Sequence, residues 1–78
     1  EPVFDGTFNL ESWKVMGERH LRLRVRHAGS KQPLDAVMFN GYEGTPPPAR
    51  VRVAFQLDVN EWNGTQTLQL MIRHLEPS

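Results

Sequence analysis

Residues 19–27 read Arg-His-Leu-Arg-Leu-Arg-Val-Arg-His, and this stretch decides the fold. From position 20 to position 26, leucine or valine at 21, 23 and 25 alternates with arginine at 22, 24 and 26. A period of two predicts a β-strand with one dry face and one wet face. Because the wet face carries three arginines and no acid, their mutual repulsion favours a polyanionic ligand. A solvated outer face of a small sheet fits the same pattern.

The length and composition predict one small domain. A chain of 78 residues buries only roughly 60% of its unfolded surface. The absence of cysteine excludes a disulfide framework and a cysteine-ligated zinc site. Nine basic and nine acidic residues give a formal net charge of zero, so any attraction of a polyanion must be local. The sequence has no targeting signal or membrane-length apolar run, which favours the cytoplasm, and its Glu-Pro start is expected of a segment from a longer protein.

The preceding segment predicts a bent strand over residues 7–16. Its apolar side chains change parity between Leu10 and Trp13, which requires one extra residue and indicates a β-bulge. Gly17 then predicts a tight turn into the arginine-rich strand. Trp13 is expected to lie in the core.

A third strand is predicted over residues 34–40. Its pattern places Val37 and Phe39 inward. The intervening residues, Ala36 and Met38, are then expected to face outward. The Gly- and Pro-rich residues 41–49 that follow predict an irregular connection.

Asn63-Gly64 is a strong signal of a two-residue hairpin turn, because both residues tolerate the positive φ of a type I′ turn. A turn centred there fixes the register of a long hairpin over residues 50–75. Three apolar cross-strand pairs then share one face: Val59 with Leu68, Leu57 with Leu70, and Phe55 with Ile72.

Five strands, the first of them bent, predict an all-β protein. The strand order along the chain favours a five-stranded, OB-fold-like Greek-key barrel. The irregular loop over residues 41–49 replaces the helix that usually connects the third and fourth strands of that fold. A thin two-sheet sandwich is the alternative.

Four blocks of the sequence, in this order, carry a family resemblance. They are Glu-Pro-Val-Phe-Asp-Gly at 1–6, Gly-Glu-Arg-His-Leu at 17–21, Leu-Asp-Ala-Val-Met-Phe-Asn at 34–40, and the segment 57–70 around Leu-Asp-Val-Asn-Glu-Trp. Together they resemble the C-terminal OB domain of the RecJ exonucleases, members of the DHH phosphoesterase family. The resemblance extends from residue 1 to residue 76.

The resemblance implies that residues 1–78 form one non-catalytic OB domain of a longer enzyme. Members of that family degrade single-stranded DNA from its 5′ end in recombination and DNA repair. Their catalysis uses manganese or magnesium in other domains, so no cofactor is expected in this segment. The implied partners are single-stranded DNA, the tail of the single-stranded DNA-binding protein, and the catalytic domains of the same chain.

OB-folds bind oligonucleotides on the outer face of strands two and three and on the neighbouring loops. Single strands need cations for the backbone and flat side chains for the bases. The predicted nucleic-acid-binding residues are therefore Lys14, Arg19, Arg22, Arg24, Arg26, Met38 and Trp62. The alternative for the arginines is solvation or surface ion pairing, worth about 0–1 kcal/mol per pair. The alternative for Trp62 is covering the barrel end.

The remaining polar residues predict no metal site and no catalytic site, because the three histidines fall on different faces or strands. Tyr42 either stacks on a base or fastens its loop. Two functions stay open: a grip on single-stranded DNA, or a docking module for an acidic, apolar peptide or for the enzyme's own catalytic domains. An independent enzymatic activity is disfavoured.

Overall fold

The computed structural model describes residues 2–78, apart from the side chains of Asn60 and Trp62. Five strands follow one another along the chain: β1 (Phe4–Met16), β2 (His20–His27), β3 (Leu34–Met38), β4 (Arg50–Trp62) and β5 (Thr65–Pro77). They form a closed barrel in the order β1-β2-β3-β5-β4, with β1 also paired to β4. Only the β3–β5 pairing is parallel among these. The predicted five-stranded OB-fold is confirmed, and the two-sheet sandwich is excluded.

β1 closes the barrel because it bends. Its first half pairs with β4 as far as Asn9, and its second half pairs with β2 from Phe8 onward. The register with β2 shifts between Leu10 and Ser12, so the predicted β-bulge is present. The bulge lets one strand belong to two differently oriented parts of the sheet.

The barrel interior takes alternate residues from every strand. In β2, Leu21, Leu23 and Val25 are buried, whereas the three intervening arginines are exposed. The other buried members of this core are Phe8, Ala36, Val51, Val53, Phe55, Leu70 and Ile72. Full burial of a Leu or Val side chain contributes roughly 1.5–3 kcal/mol, so this core supplies most of the stabilisation of a cysteine-free chain. The predicted separation of aliphatic and basic side chains in β2 is confirmed.

The predicted parity of β3 is wrong. The strand ends at Met38, and Phe39 is 58% exposed beyond its end. Ala36 lies opposite Leu23 and Met38 lies opposite Leu21, so both face the interior with β2's leucines. The prediction was wrong because it treated Phe39 as a strand residue that faces the core, whereas Phe39 belongs to the turn after β3.

Val37 lies on the outer face of β3 and is nevertheless only 5% exposed. Its neighbours in the flanking strands are Arg22 of β2 and Met71 of β5. Long side chains such as these cover apolar surface with their stems. Phe39, in turn, packs its ring edge-to-face with His20, at a centroid distance of 5.2 Å.

The β4–β5 hairpin forms in the predicted register from the turn to the pair Phe55–Ile72. Asn63 and Gly64 have φ angles of 50° and 76°, both in the left-handed region that the turn requires. The three predicted apolar pairs, Val59 with Leu68, Leu57 with Leu70, and Phe55 with Ile72, all occur. A register shift between Ala54 and Phe55 bends the hairpin, and its pairing continues to Pro77.

The connection between β3 and β4 is irregular, as predicted. The Tyr42 N–H donates a hydrogen bond of 2.9 Å to the Arg19 carbonyl, which ties this loop to the β1–β2 turn. Gly41 packs so closely that a Cβ there would lie 2.6 Å from Cγ of Met38. Within residues 2–78, no helix is long and apolar enough to cross a membrane.

Leu23→Ala tests the core. Leu23 is 1% exposed, and truncating a buried leucine costs about 2–5 kcal/mol of unfolding free energy. We expect a loss in that range by urea unfolding. Lys31→Ala, in the exposed β2–β3 loop, is the control and should change stability by less than about 0.5 kcal/mol. Equal effects of the two substitutions would contradict the assigned core.

Arg52 and Asp5 form an exposed pair between β4 and β1. Nη2 and Nε of Arg52 donate to the Asp5 carboxylate at 2.9 and 3.2 Å, and these bonds lower the pKa of Asp5 below its ordinary value of 3.8. The stabilisation is therefore present above pH 3.8 and is lost as the pH falls through the lowered pKa. An NMR titration should show the Asp5 pKa rising in Arg52→Ala; an unchanged value would show that the pair is absent in solution.

Candidate nucleic-acid interface

The outer faces of β1 and β2 carry a cluster of cations. After the bulge, Lys14 lies opposite Arg22 and Ser12 lies opposite Arg24. All three cationic side chains are exposed, because their parity is opposite to that of the buried leucines of β2. Arginines two positions apart on one strand are separated by about 6.8 Å along it. Lys14, Arg22 and Arg24 are called the basic patch below.

The arginines of β2 differ in their charge partners. Nη2 of Arg26 lies 3.1 Å from Oε2 of Glu11, the residue at the bulge. Arg22 and Arg24 form no salt bridge within the described part of the chain, although Asp35 lies opposite Arg24 in the β2–β3 register. An exposed ion pair contributes about 0–1 kcal/mol, but it does neutralise the local field. The uncompensated positive charge is therefore centred on Arg22 and Arg24.

Trp13 is at the edge of the basic patch and not in the core, so that prediction is wrong. Its side chain is 38% exposed, and its ring stacks on that of Tyr42 at a centroid distance of 6.1 Å and an interplanar angle of 27°. Trp13 lies opposite the buried Leu23 in the β1–β2 register, so it is on the core side of the sheet. However, β1 pairs with β4 only as far as Asn9, so Trp13 has a neighbouring strand on one side alone.

A shallow hollow of about 450 Å³ lies where Trp13 and the cations meet. Its wall includes Trp13, Lys14, Arg22, Arg24 and Asp35. Cations beside a partly exposed aromatic face are what binding of single-stranded nucleic acid requires. The sequence analysis predicted Lys14, Arg22 and Arg24 as binding residues but placed Trp13 in the core, because its exposure depends on where the pairing of β1 with β4 ends.

The other predicted site residues lie elsewhere. Arg19 lines a separate hollow with Glu18 and Glu43, at the end of the barrel. Met38 faces the interior because it lies opposite Leu21, so its predicted place on the outer face is wrong. The side chain of Trp62 is outside the described residues, and its predicted base stacking stays a prediction.

The histidines have structural contacts. Nδ1 of His20 accepts a hydrogen bond of 3.2 Å from the Asn40 N–H, and the His27 ring lies edge-on to Phe8. The residues that the structure describes contain no group of three or more His, Cys, Asp or Glu able to hold a metal ion.

The chain is similar to known proteins over nearly its whole length. Two curated relatives named single-stranded-DNA-specific exonuclease RecJ, from Dickeya dadantii (strain 3937) and Escherichia coli (strain K12), are 42% and 39% identical to it over 99% of this chain. The chain spans 14% of the length of each relative.

Two solved structures have the same fold. They are those of RecJ from Thermus thermophilus in complex with Mn²⁺ and with Mg²⁺, at TM-scores of 0.73 and 0.71 and identities of 26% and 28%. Both similarities cover 100% of this chain, and 11% and 12% of the solved chains. A family profile described as the RecJ OB domain matches residues 1–74. The chain therefore belongs to the RecJ OB-domain family.

Proposed function

We propose that this chain is a non-catalytic domain that grips single-stranded DNA within a RecJ-like 5′→3′ exonuclease. The observation that carries the proposal is the basic patch, whose Arg22 and Arg24 are exposed, form no salt bridge within the described part of the chain, and line one hollow with Trp13. Residues 1–78 would be one domain of a longer cytoplasmic enzyme of recombination and repair, whose metal-dependent chemistry lies elsewhere in the polypeptide.

The cations of the basic patch and Trp13 have distinct parts in this grip. The guanidinium groups of Arg22 and Arg24 donate charge-assisted hydrogen bonds to phosphate oxygens, and Lys14 adds a third cation. Trp13 offers a flat apolar surface on which a base stacks, for a gain of about 1–3 kcal/mol. Because the chain has no net charge, binding depends on this local arrangement, and its affinity is weak.

Acidic residues confine the DNA to one half of the outer face. The register runs across the sheet from Arg24 to Asp35, then to Gln69 and to Asp58. Along this row the charge changes from positive at Arg24 to negative at Asp35 and Asp58. A phosphate backbone is attracted to the arginine end of the row and repelled by its acidic end.

Docking of an acidic, apolar peptide, such as the tail of the single-stranded DNA-binding protein, is the second candidate. Met38 cannot supply its apolar contact, since that side chain faces the interior. Trp13 beside Arg22 can supply one instead. The two ligands would then share the basic patch, and a separate titration with each distinguishes them.

Charge removal tests the grip. About three phosphate contacts on a single strand give a log–log salt slope near −2, and each lost contact reduces it by about 0.7. Arg22→Ala and Arg24→Ala should each weaken oligo-dT binding and bring the slope to about −1.4, measured by fluorescence anisotropy against salt. Arg52→Ala makes the same change of charge at an ion-paired site on β4 and should leave binding unchanged. If all three variants bind alike, the proposal fails.

Trp13 gives an independent measurement. In a Trp62→Phe background, Trp13 is the only tryptophan, and stacking on a base should quench its fluorescence when oligo-dT is added. Trp13→Leu should lower the affinity by about 5- to 150-fold, which corresponds to the 1–3 kcal/mol of one stacked base. Trp13→Phe keeps an aromatic face and should retain most of the affinity. Quenching by an acidic peptide alone would favour peptide docking over DNA binding.

A further inference from the structure

The end of the β4–β5 hairpin projects beyond the barrel. β4 pairs with β1 only as far as Phe55, and β5 pairs with β3 only from Gln69 onward. Between these limits the two strands pair solely with each other within the described part of the chain. Beyond Phe55, the β4 edge on the β1 side therefore carries backbone N–H and C=O groups that pair with no other strand of residues 2–78.

One face of this projection is apolar and exposed. Leu57, Val59 and Leu68 have the same parity as the core residues of their strands, yet they are 45%, 57% and 44% exposed. Val59 lies directly opposite Leu68, so the three form a continuous surface, called the hairpin face below. They continue the apolar alternation of the core residues along β4 and β5. They are exposed because β1 and β3 do not extend far enough to cover them.

The charge around the hairpin face is negative. The sequence from 53 to 72 contains no Lys or Arg, while Asp58 and Glu61 lie within it. Asp58 occupies the opposite side of β4, between Leu57 and Val59. Glu61 follows Val59 on the same parity, and its carboxylate accepts a hydrogen bond of 3.5 Å from the Gln66 side chain. This end of the molecule repels a nucleic acid and attracts a cation.

We propose that the hairpin face and the open β4 edge bind an extended protein segment in which apolar residues alternate with Lys or Arg. Such a segment adds a strand to the edge through main-chain hydrogen bonds. Its apolar side chains then lie beside Leu57 and Val59, and its basic side chains lie beside Asp58 on the other face. This surface is separate from the basic patch, so the inference goes beyond the proposed DNA grip.

The test uses the ¹⁵N-labelled 78-residue chain and the synthetic peptide acetyl-Lys-Leu-Lys-Val-Lys-Leu-Lys-amide. Amide shifts should concentrate in residues 56–69 and be at least tenfold weaker, at equal concentration, with the matched peptide in which Glu replaces each Lys. The double variant Val59→Thr/Leu68→Thr places threonine, a β-branched residue that strands accept, at both positions and removes their apolar character, and it should weaken peptide binding at least tenfold. Thermal unfolding of the variant confirms that the barrel is intact.

Oligo-dT and Arg24→Ala separate this proposal from the DNA grip. Arg24→Ala should leave the peptide shifts unchanged, and the hairpin double variant should leave oligo-dT binding unchanged. The docking proposal is overturned if both peptides shift the same residues, if the double variant binds the peptide as tightly as the parent, or if oligo-dT shifts the hairpin face. It is also overturned if the hairpin shifts depend on protein concentration alone, because a second copy of the chain would then be the occupant.

Discussion

The strict alternation of β2 is the constraint on which the rest of the structure depends. A period of two couples the two faces of a strand, so burying Leu21, Leu23 and Val25 forces Arg22, Arg24 and Arg26 outward. A slip of one residue would place guanidinium groups in the core, where an unpaired charge costs several kcal/mol. The hydrophobic core and the basic surface are therefore consequences of one register.

The β-bulge of β1 determines which residues of β1 lie next to the arginines of β2. The extra residue, Glu11, lets β1 bend and pair with both β2 and β4, which closes the barrel. The bulge shifts the β1–β2 register so that Lys14 lies opposite Arg22. It also places Glu11 within reach of Arg26 and leaves Trp13 beyond the last β1–β4 pair. One extra residue thus brings Glu11 to Arg26 and lets Trp13 line one hollow with Arg22 and Arg24. Bulges commonly re-aim side chains in this way.

The zero net charge of the chain conceals two surfaces of opposite character. The basic patch lies on β1 and β2, and the acidic, apolar hairpin end lies on β4 and β5. The proposed DNA grip would use β1 and β2, whereas the proposed docking segment would use the projecting end of β4 and β5, so neither ligand would need to displace the other. Because the two surfaces differ in charge and lie on different strands, each attracts a ligand that the other does not.

The sequence by itself determined what depends on local periodicity and turn chemistry: the two faces of β2, the bulge of β1, and the register of the hairpin at Asn63-Gly64. Each is set by neighbouring residues, and eight cross-strand pairs of the hairpin, from Trp62–Thr65 to Phe55–Ile72, keep the register that the turn sets. Only the tertiary structure decided the parity of β3, the exposure of Trp13 and Leu57, and the pairing of Arg26 with Glu11. Those features depend on where a neighbouring strand ends, and an apolar residue is buried only when another element covers it.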